Sequence, residues 1–228
     1  MEKVVIGLAE LYCGDCLEIL PTLPSVAAVI TDPPYGISYQ TNHRKWMDTP
    51  DMLQNDDAAP LESVALLASK LDGGGAMYLA TRFDVSAPWV EAMQAAGLTM
   101  KTPIFWDKTN HTAGDLEGDF GGQIEIFLFA HQGRHKLRGK RYSNLWRCPR
   151  PPAGAHPTPK PVDLMRKMIM CSTDTGGIVL DSFMGSGSTG VAAVEEQRRF
   201  IGIEVERKYF DIACQRIEAA QQQMRLAL

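Results

Sequence analysis

A carboxylate, two prolines and an aromatic ring stand in succession at Asp32, Pro33, Pro34 and Tyr35. Neither proline has a backbone N–H; each fixes its own φ and pushes the residue before it away from helix. The four residues therefore make a stiff, extended turn that holds the Asp32 carboxylate close to the free Pro33 carbonyl. Two acceptors so placed suit chemistry on a planar exocyclic amine. They can take its two hydrogens and leave the nitrogen lone pair free to attack, while Tyr35 stacks on the ring. An ordinary exit from a strand uses the same residue types, so the reading depends on what else the chain supplies.

It supplies a second constellation. Asp181 precedes a Gly/Ser-rich turn, Ser182 to Gly190, that contains Phe183, Gly185, Ser186, Gly187, Ser188 and Thr189 and opens a helix. Glycines let backbone amides approach a ligand closely, and a helix N-terminus adds positive potential. No G-K-[ST] follows, which excludes a standard phosphate-binding loop. About twenty residues further on, Glu204 ends the next apolar run, where nucleotide-binding sheets carry the carboxylate that takes ribose hydroxyls. Asp15 sits just past another strand-like stretch, Leu8 to Cys13. The expected ligand thus carries a ribose and needs no phosphate lysine.

These groups require a scaffold, and the chain is patterned for one. Val26 to Ile30 is a short continuous apolar run, as expected of a strand buried on both faces. Ile178 to Asp181 and Phe200 to Val205 read the same way, as does Ala76 to Ala80. Leu98 to Trp106 and Gln123 to Ala130 read as two last strands joined by a Gly/Asp-rich loop. Helical spacing covers Pro60 to Leu71, Val85 to Ala96 with Gly97 closing it, Pro161 to Cys171, Val191 to Gln197 and the stretch from Arg207 onward. Strands alternating with helices predict an α/β fold with a doubly wound sheet in one domain, residues 1–228. Gly36 to Asp57 is polar and aperiodic, and reads as a long mobile loop over the site.

Composition narrows the setting. The 228 residues carry a net charge of −4 and five cysteines. The cysteines are scattered, and Cys13-x-x-Cys16 has no second pair at ligand spacing, so no metal is expected. No apolar run approaches a membrane span and no signal-peptide core follows Met1, so the expectation is a cytoplasmic protein with reduced thiols. The charge is unevenly spread. Gln132 to Pro152 lacks any acidic residue, yet holds Arg134, Lys136, Arg138, Lys140, Arg141, Arg147 and Arg150, interleaved with His135, Tyr142 and Trp146. Such a segment is expected to contact phosphates and bases, which makes residues 131–155 a short target-recognition element within the domain.

With both constellations in hand, the chain resembles the S-adenosylmethionine-dependent amino-group DNA methyltransferases of the permuted β class, in which D-P-P-Y precedes F-x-G-x-G. The resemblance rests on Gly14-Asp15, Asp32 to Tyr35, Ser143-Asn144-Leu145-Trp146, His156 to Pro161, Asp181 to Gly190, and Phe200 to Glu204. It implies a circularly permuted, mostly parallel, seven-stranded sheet of the Rossmann-like methyltransferase type. The Tyr12 strand should then lie beside the Ile203 strand, the Val29 and Val179 strands should be neighbours, and the two termini should be close. S-adenosylmethionine is the implied cofactor: its methionine end on Asp181 and the Phe183–Thr189 turn, its ribose on Glu204, its adenine amine on Asp15. His156, Thr158 and Lys160 would close over it. Asp32, Pro33, Pro34 and Tyr35 would act on the N6 amine of an adenine flipped out of double-stranded DNA. N4 of cytosine and an RNA amine are the alternative targets. A cofactor-binding regulator without catalysis is a further alternative, which intact Asp32 and Tyr35 argue against. A homodimer is expected, because residues 131–155 are too short for a recognition domain with its own core.

Overall fold

In the computed structural model, residues 1–35, 59–111, 117–151 and 159–226 are described. Ten strands form one sheet: β1 (Glu2–Ile6), β2 (Ala9–Cys13), β3 (Val26–Thr31), β4 (Leu71–Thr81), β5 (Thr99–Met100), β6 (Ile104–Asp107), β7 (Ile124–His131), β8 (Leu145–Arg147), β9 (Ile178–Asp181) and β10 (Arg199–Glu204). Their order is β1-β2-β10-β9-β3-β4-β7-β6-β8, with β5 pairing on β7. The helices are α1 (Cys16–Ile19), α2 (Glu62–Lys70), α3 (Ser86–Ala95), α4 (Val162–Ser172), α5 (Ser188–Glu195) and α6 (Arg207–Leu226).

Seven consecutive strands, β2-β10-β9-β3-β4-β7-β6, form the expected mostly parallel core, in which β7 alone runs against its neighbours. Tyr12 pairs with Ile203, and Val29 pairs with Leu180 beside Val179. Side chains alternate between two layers, as the pleat requires. Ile30, Tyr78, Trp106 and Phe127 pack with Leu164, Met168, Val194, Phe210 and Ile217 from α4, α5 and α6. Val29, Met77, Leu79 and Ile203 face Ile19, Val64, Leu67, Trp89 and Met93 from α1, α2 and α3. Burial on both faces explains why the central strands are continuous apolar runs.

Three short strands are additional to the seven expected. β8 adds an edge on β6, β5 is two residues cut off from β6 by Pro103, and β1 folds back on β2 as a hairpin. That hairpin also corrects the expectation about the termini. It returns Glu2 to the end of β2 at Cys13, where the Arg207 guanidinium at the start of α6 pairs with the Glu2 carboxylate. Meanwhile α6 runs away for 20 residues, roughly 30 Å at 1.5 Å per residue. Glu2 and the far end of α6 thus lie along one edge of the sheet but at opposite ends of it. No helix among the described residues is long and apolar enough to cross a membrane, and all five cysteines are free thiols.

Candidate active site

Four parallel strands, β2, β10, β9 and β3, deliver carboxylates to one end of the sheet. Asp15 follows β2, Glu204 ends β10, Asp181 ends β9 and Asp32 follows β3. At about 4.8 Å between neighbouring strands the row spans roughly 14 Å. The Gly14 N–H donates to the Glu204 carbonyl at 3.0 Å, and the Thr31 hydroxyl donates to Asp181 Oδ1 at 3.0 Å, tying the row together at both ends. Between β9 and β3 the chain departs in opposite directions, to β10 on one side and to β4 on the other. Open α/β sheets bind ligands at such a switch point. Asp32 and Asp181 therefore stand side by side at that switch point.

In the half formed by β2, β10 and β9, the carboxylates are held by neutral donors. Asp181 is 4% exposed. Its Oδ1 accepts from Thr31 and from the Phe183 N–H at 3.2 Å, and its Oδ2 accepts from the Thr189 hydroxyl at 2.7 Å. Burial outweighs these bonds and pushes its carboxyl up to about 7. Glu204 accepts from the Gly185 N–H at 2.8 Å and the Glu206 N–H at 2.9 Å, and burial raises it too. Asp15 is exposed and caps α1 through the Leu17 N–H at 2.8 Å.

The turn after Asp181 is fixed from behind. Gly187 has φ +79°, and a Cβ there would stand 2.9 Å from the Ala213 Cβ on α6. Here glycine is demanded both by backbone conformation and by close helix packing. Arg216 of α6 donates to the Ser186 carbonyl at 2.6 Å and to its hydroxyl at 2.8 Å. Sequence reasoning missed Arg216, since nothing in the local pattern separates it from any other cation on an amphipathic helix.

The other half, at the ends of β3, β7, β6 and β8, is built from ion pairs. Asp32 Oδ1 accepts from the Tyr35 hydroxyl at 2.7 Å, and Oδ2 accepts from the Lys160 ammonium. Pro33 is buried beneath them. Lys160 Nζ also stands 3.5 Å from Glu125 Oε2, and Glu125 Oε1 lies 3.2 Å from Lys108 Nζ and 3.7 Å from Arg150. Burial disfavours the Lys160 ammonium, but Asp32 and Glu125 outweigh it and hold its pKa above the usual lysine range. Burial likewise opposes ionisation of Glu125, and there Lys160 and Lys108 prevail and hold it low. Tyr35 is pushed well up, by burial first and then by the Asp32 charge, so its hydroxyl stays a donor. Asp107 completes the edge, accepting from Gln123 at 2.7 Å and from Arg147 at 3.0 Å.

Lys160 thus lies on the Asp32 carboxylate, while His156, Thr158 and the loop from Gly36 to Asp57 fall outside the described residues. Lys108 and Glu125 were not singled out by sequence. Each adjoins an apolar strand, and only the antiparallel pairing of β6 with β7 brings them together.

The basic segment does not form one surface. β7 runs away from the site, so its eight residues carry the chain roughly 25 Å to the opposite end of the sheet. There Arg134 and Lys136 are exposed, and Arg138 is clamped to Asp174 and to the Ser172 carbonyl at the end of α4. The chain then climbs back along α4. The Lys167 ammonium lies 4.4 Å from the Tyr142 ring centre and 4.0 Å from that of Trp146, and Lys140 lies 5.1 Å from Tyr142. Lys140 and Arg141 are exposed on this return. Only Arg147 and Arg150 reach the site end, Arg147 with 76% of its side chain exposed.

The family model for N6/N4 methyltransferases, described as DNA methylase, matches residues 26–215. The type II methyltransferase M2.DpnII of Streptococcus pneumoniae is 35% identical over 146 residues, 56% of this chain and 54% of that protein. The putative methylase YubD of Escherichia coli K12 is 30% identical over 219 residues, 92% of this chain and 91% of that one. Among solved structures, M1.HpyAVI in complex with S-adenosylmethionine superposes with a TM-score of 0.71 at 28% identity, covering 91% of this chain and 99% of the other.

Proposed function

Since the chain belongs to the S-adenosylmethionine-dependent DNA methylase family, which modifies N6 of adenine or N4 of cytosine, we propose that it methylates N6 of adenine in double-stranded DNA, with the base turned out of the helix. The observation that carries the reading is the placement of Asp32 and Asp181 at the ends of adjacent strands, bridged by Thr31 at 3.0 Å from Asp181. One carboxylate faces a target and the other a cofactor, one strand apart.

The residues of the cofactor half fit the group. Asp181 is a buried carboxyl near 7 with no cation among its hydrogen-bond partners. A cationic ligand group beside it restores its charge at little cost. Glu204 keeps lone pairs for ribose hydroxyls after its two backbone bonds, and Asp15 at the end of the row accepts from the adenine amine. When bound, the cofactor supplies an electrophilic methyl group on a sulfonium.

At the target half, Asp32 and the Pro33 carbonyl accept the two N–H bonds of the target amine and point its lone pair towards β9. Tyr35 fixes Asp32 through Oδ1 at 2.7 Å and offers its ring to the base. As the nitrogen acquires positive charge, the fixed carboxylate stabilises it, and the same carboxylate is placed to receive the proton that nitrogen sheds. The amine of a paired adenine lies inside the duplex, which is why the base must leave the stack. Arg147 and Arg150 hold flanking phosphates. Aspartate ahead of P-P-Y favours adenine over cytosine. Incubation with labelled S-adenosylmethionine and DNA, followed by digestion to nucleosides, tests the reading. Label in N6-methyl-2′-deoxyadenosine is expected; label in N4-methyl-2′-deoxycytidine, or none in DNA, overturns it.

A further inference from the structure

The Asp32 carboxylate already has a donor of its own chain on each oxygen: the Tyr35 hydroxyl at 2.7 Å on Oδ1 and the Lys160 ammonium on Oδ2. Tyr35 is neutral and leaves the charge of Asp32 intact. Lys160 cancels it. A carboxylate neutralised by an ammonium in contact gives little to a nitrogen that is itself turning positive, and the ammonium adds repulsion at close range. The contact that holds Asp32 in the free protein therefore opposes the transition state.

The structure also contains the place for Lys160 to go. Glu125 Oε2 is buried and makes no hydrogen bond, although Lys160 Nζ stands only 3.5 Å away. That contact has ion-pair length without hydrogen-bond geometry. A buried carboxylate oxygen left in this state is costly unless it is used. The other oxygen, Oε1, faces Lys108 at 3.2 Å and Arg150 at 3.7 Å, which keep Glu125 charged and anchored at the start of β7. A shift of the ammonium by well under one residue length converts the idle contact into a hydrogen bond and frees Asp32.

We propose that Glu125 is a positioning residue for methyl transfer: it takes Lys160 from Asp32 when the target amine arrives, so that the Asp32 charge is left uncompensated only in the presence of substrate. The inference rests on the reading of Asp32 as the group that binds the target amine. Lys160 is then a competitor in the free protein and a partner of Glu125 in the reacting complex.

Single-turnover methylation at saturating cofactor and DNA, beside calorimetry with cofactor alone, tests this. Glu125→Gln keeps the shape and removes the charge, so Lys160 stays on Asp32. The rate should fall about 10²-fold, the low end of the range for a lost preorganised electrostatic contact, with cofactor affinity unchanged. Adding Lys160→Met removes the competitor, so the double variant should be faster than Glu125→Gln alone, and Lys160→Met alone should be less impaired than Glu125→Gln. A merely structural role for Glu125 predicts a double variant as slow as the single one or slower, and that result overturns the proposal, as does a Glu125→Gln protein at full speed. Should Glu125→Gln fail to bind cofactor through misfolding, Glu125→Asp takes its place, with a rate below both the wild type and Lys160→Met required. A wild-type protein that transfers no methyl group to DNA would instead bring down the functional reading itself.

Discussion

The two halves of the site hold their carboxylates by opposite means. On the cofactor side Asp181 and Glu204 are bound by hydroxyls and backbone N–H groups and are pushed up by burial. On the target side Asp32, Glu125 and Asp107 are bound by lysines and an arginine. The difference matches what each half would receive in the proposed function. A sulfonium cofactor brings its own positive charge, so cations built into its site would repel it. A nucleic acid brings a neutral base flanked by anionic phosphates, so the receiving side needs cations, with their charges balanced until DNA arrives. In the proposed function, charge placement would divide a single row of strand ends into two binding roles.

The largest test of that division is Asp32→Ala. It should lower methyl transfer by about 10²-fold or more, the usual scale for a missing electrostatic contact in a transition state, while cofactor affinity stays near that of the parent. Rapid-quench methylation and titration calorimetry read the two quantities separately. Equal loss of cofactor affinity would erase the boundary between the halves. Asp181→Ala should do the reverse, weakening cofactor binding about 10- to 100-fold, as expected for losing hydrogen bonds to a charged group, with turnover partly restored at high cofactor concentration.

Acidity sharpens the comparison. Asp181 binds a cation best when ionised, and its carboxyl lies at about 7. Cofactor affinity should therefore fall as pH drops below 7, approaching tenfold per unit. The free protein should respond oppositely. Its folded state holds a proton on Asp181 that the unfolded chain has released above the ordinary carboxyl range, so this group's contribution to stability declines as pH rises towards 7 and stays low above it. Asp181→Asn should abolish this group's share of both trends, and melting curves and calorimetry from pH 5.5 to 8.5 would reveal any that remains.

The smallest effect concerns DNA affinity. Arg147→Ala and Arg150→Ala should each reduce the slope of log affinity against log salt by about one unit, whereas Arg134→Ala and Lys136→Ala, at the far end of the sheet, should leave it unchanged. A flattened slope for the far-end variants would mean that a second copy of the chain carries those cations to the DNA, and light scattering on the complex would detect it.

What was legible in the sequence was mostly local. Asp32 to Tyr35 could be read because prolines dictate backbone shape within four residues, and the Asp181–Gly190 turn because glycine spacing does the same. Strands buried on both faces announced themselves as apolar runs. The misses are long-range or shallow. β1 is largely exposed and carries Glu2 and Lys3, so no buried alternation marked it. The contact of Lys160 with Asp32 joins residues far apart in the chain, and Arg216 reaches Ser186 from another helix. The basic segment misled because its composition is continuous while its path is not. The reversal of β7 separates Arg134 from Arg147 by the height of the sheet, and charge counts carry no information about strand direction.

The pairing of β2 with β10 has a consequence for biosynthesis. Tyr12 finds its neighbour Ile203 about 190 residues later in the chain, and Gly14 its partner Glu204. At the usual 5–20 residues per second, the first hairpin waits roughly 10–40 s on the ribosome before its site in the sheet exists. The middle of the chain can pair β3 with β4 and β7 in the meantime. β1 and β2 thus emerge before most of the sheet and dock among the last, and newly made chains must keep the open edge of β2 from pairing elsewhere until β10 emerges.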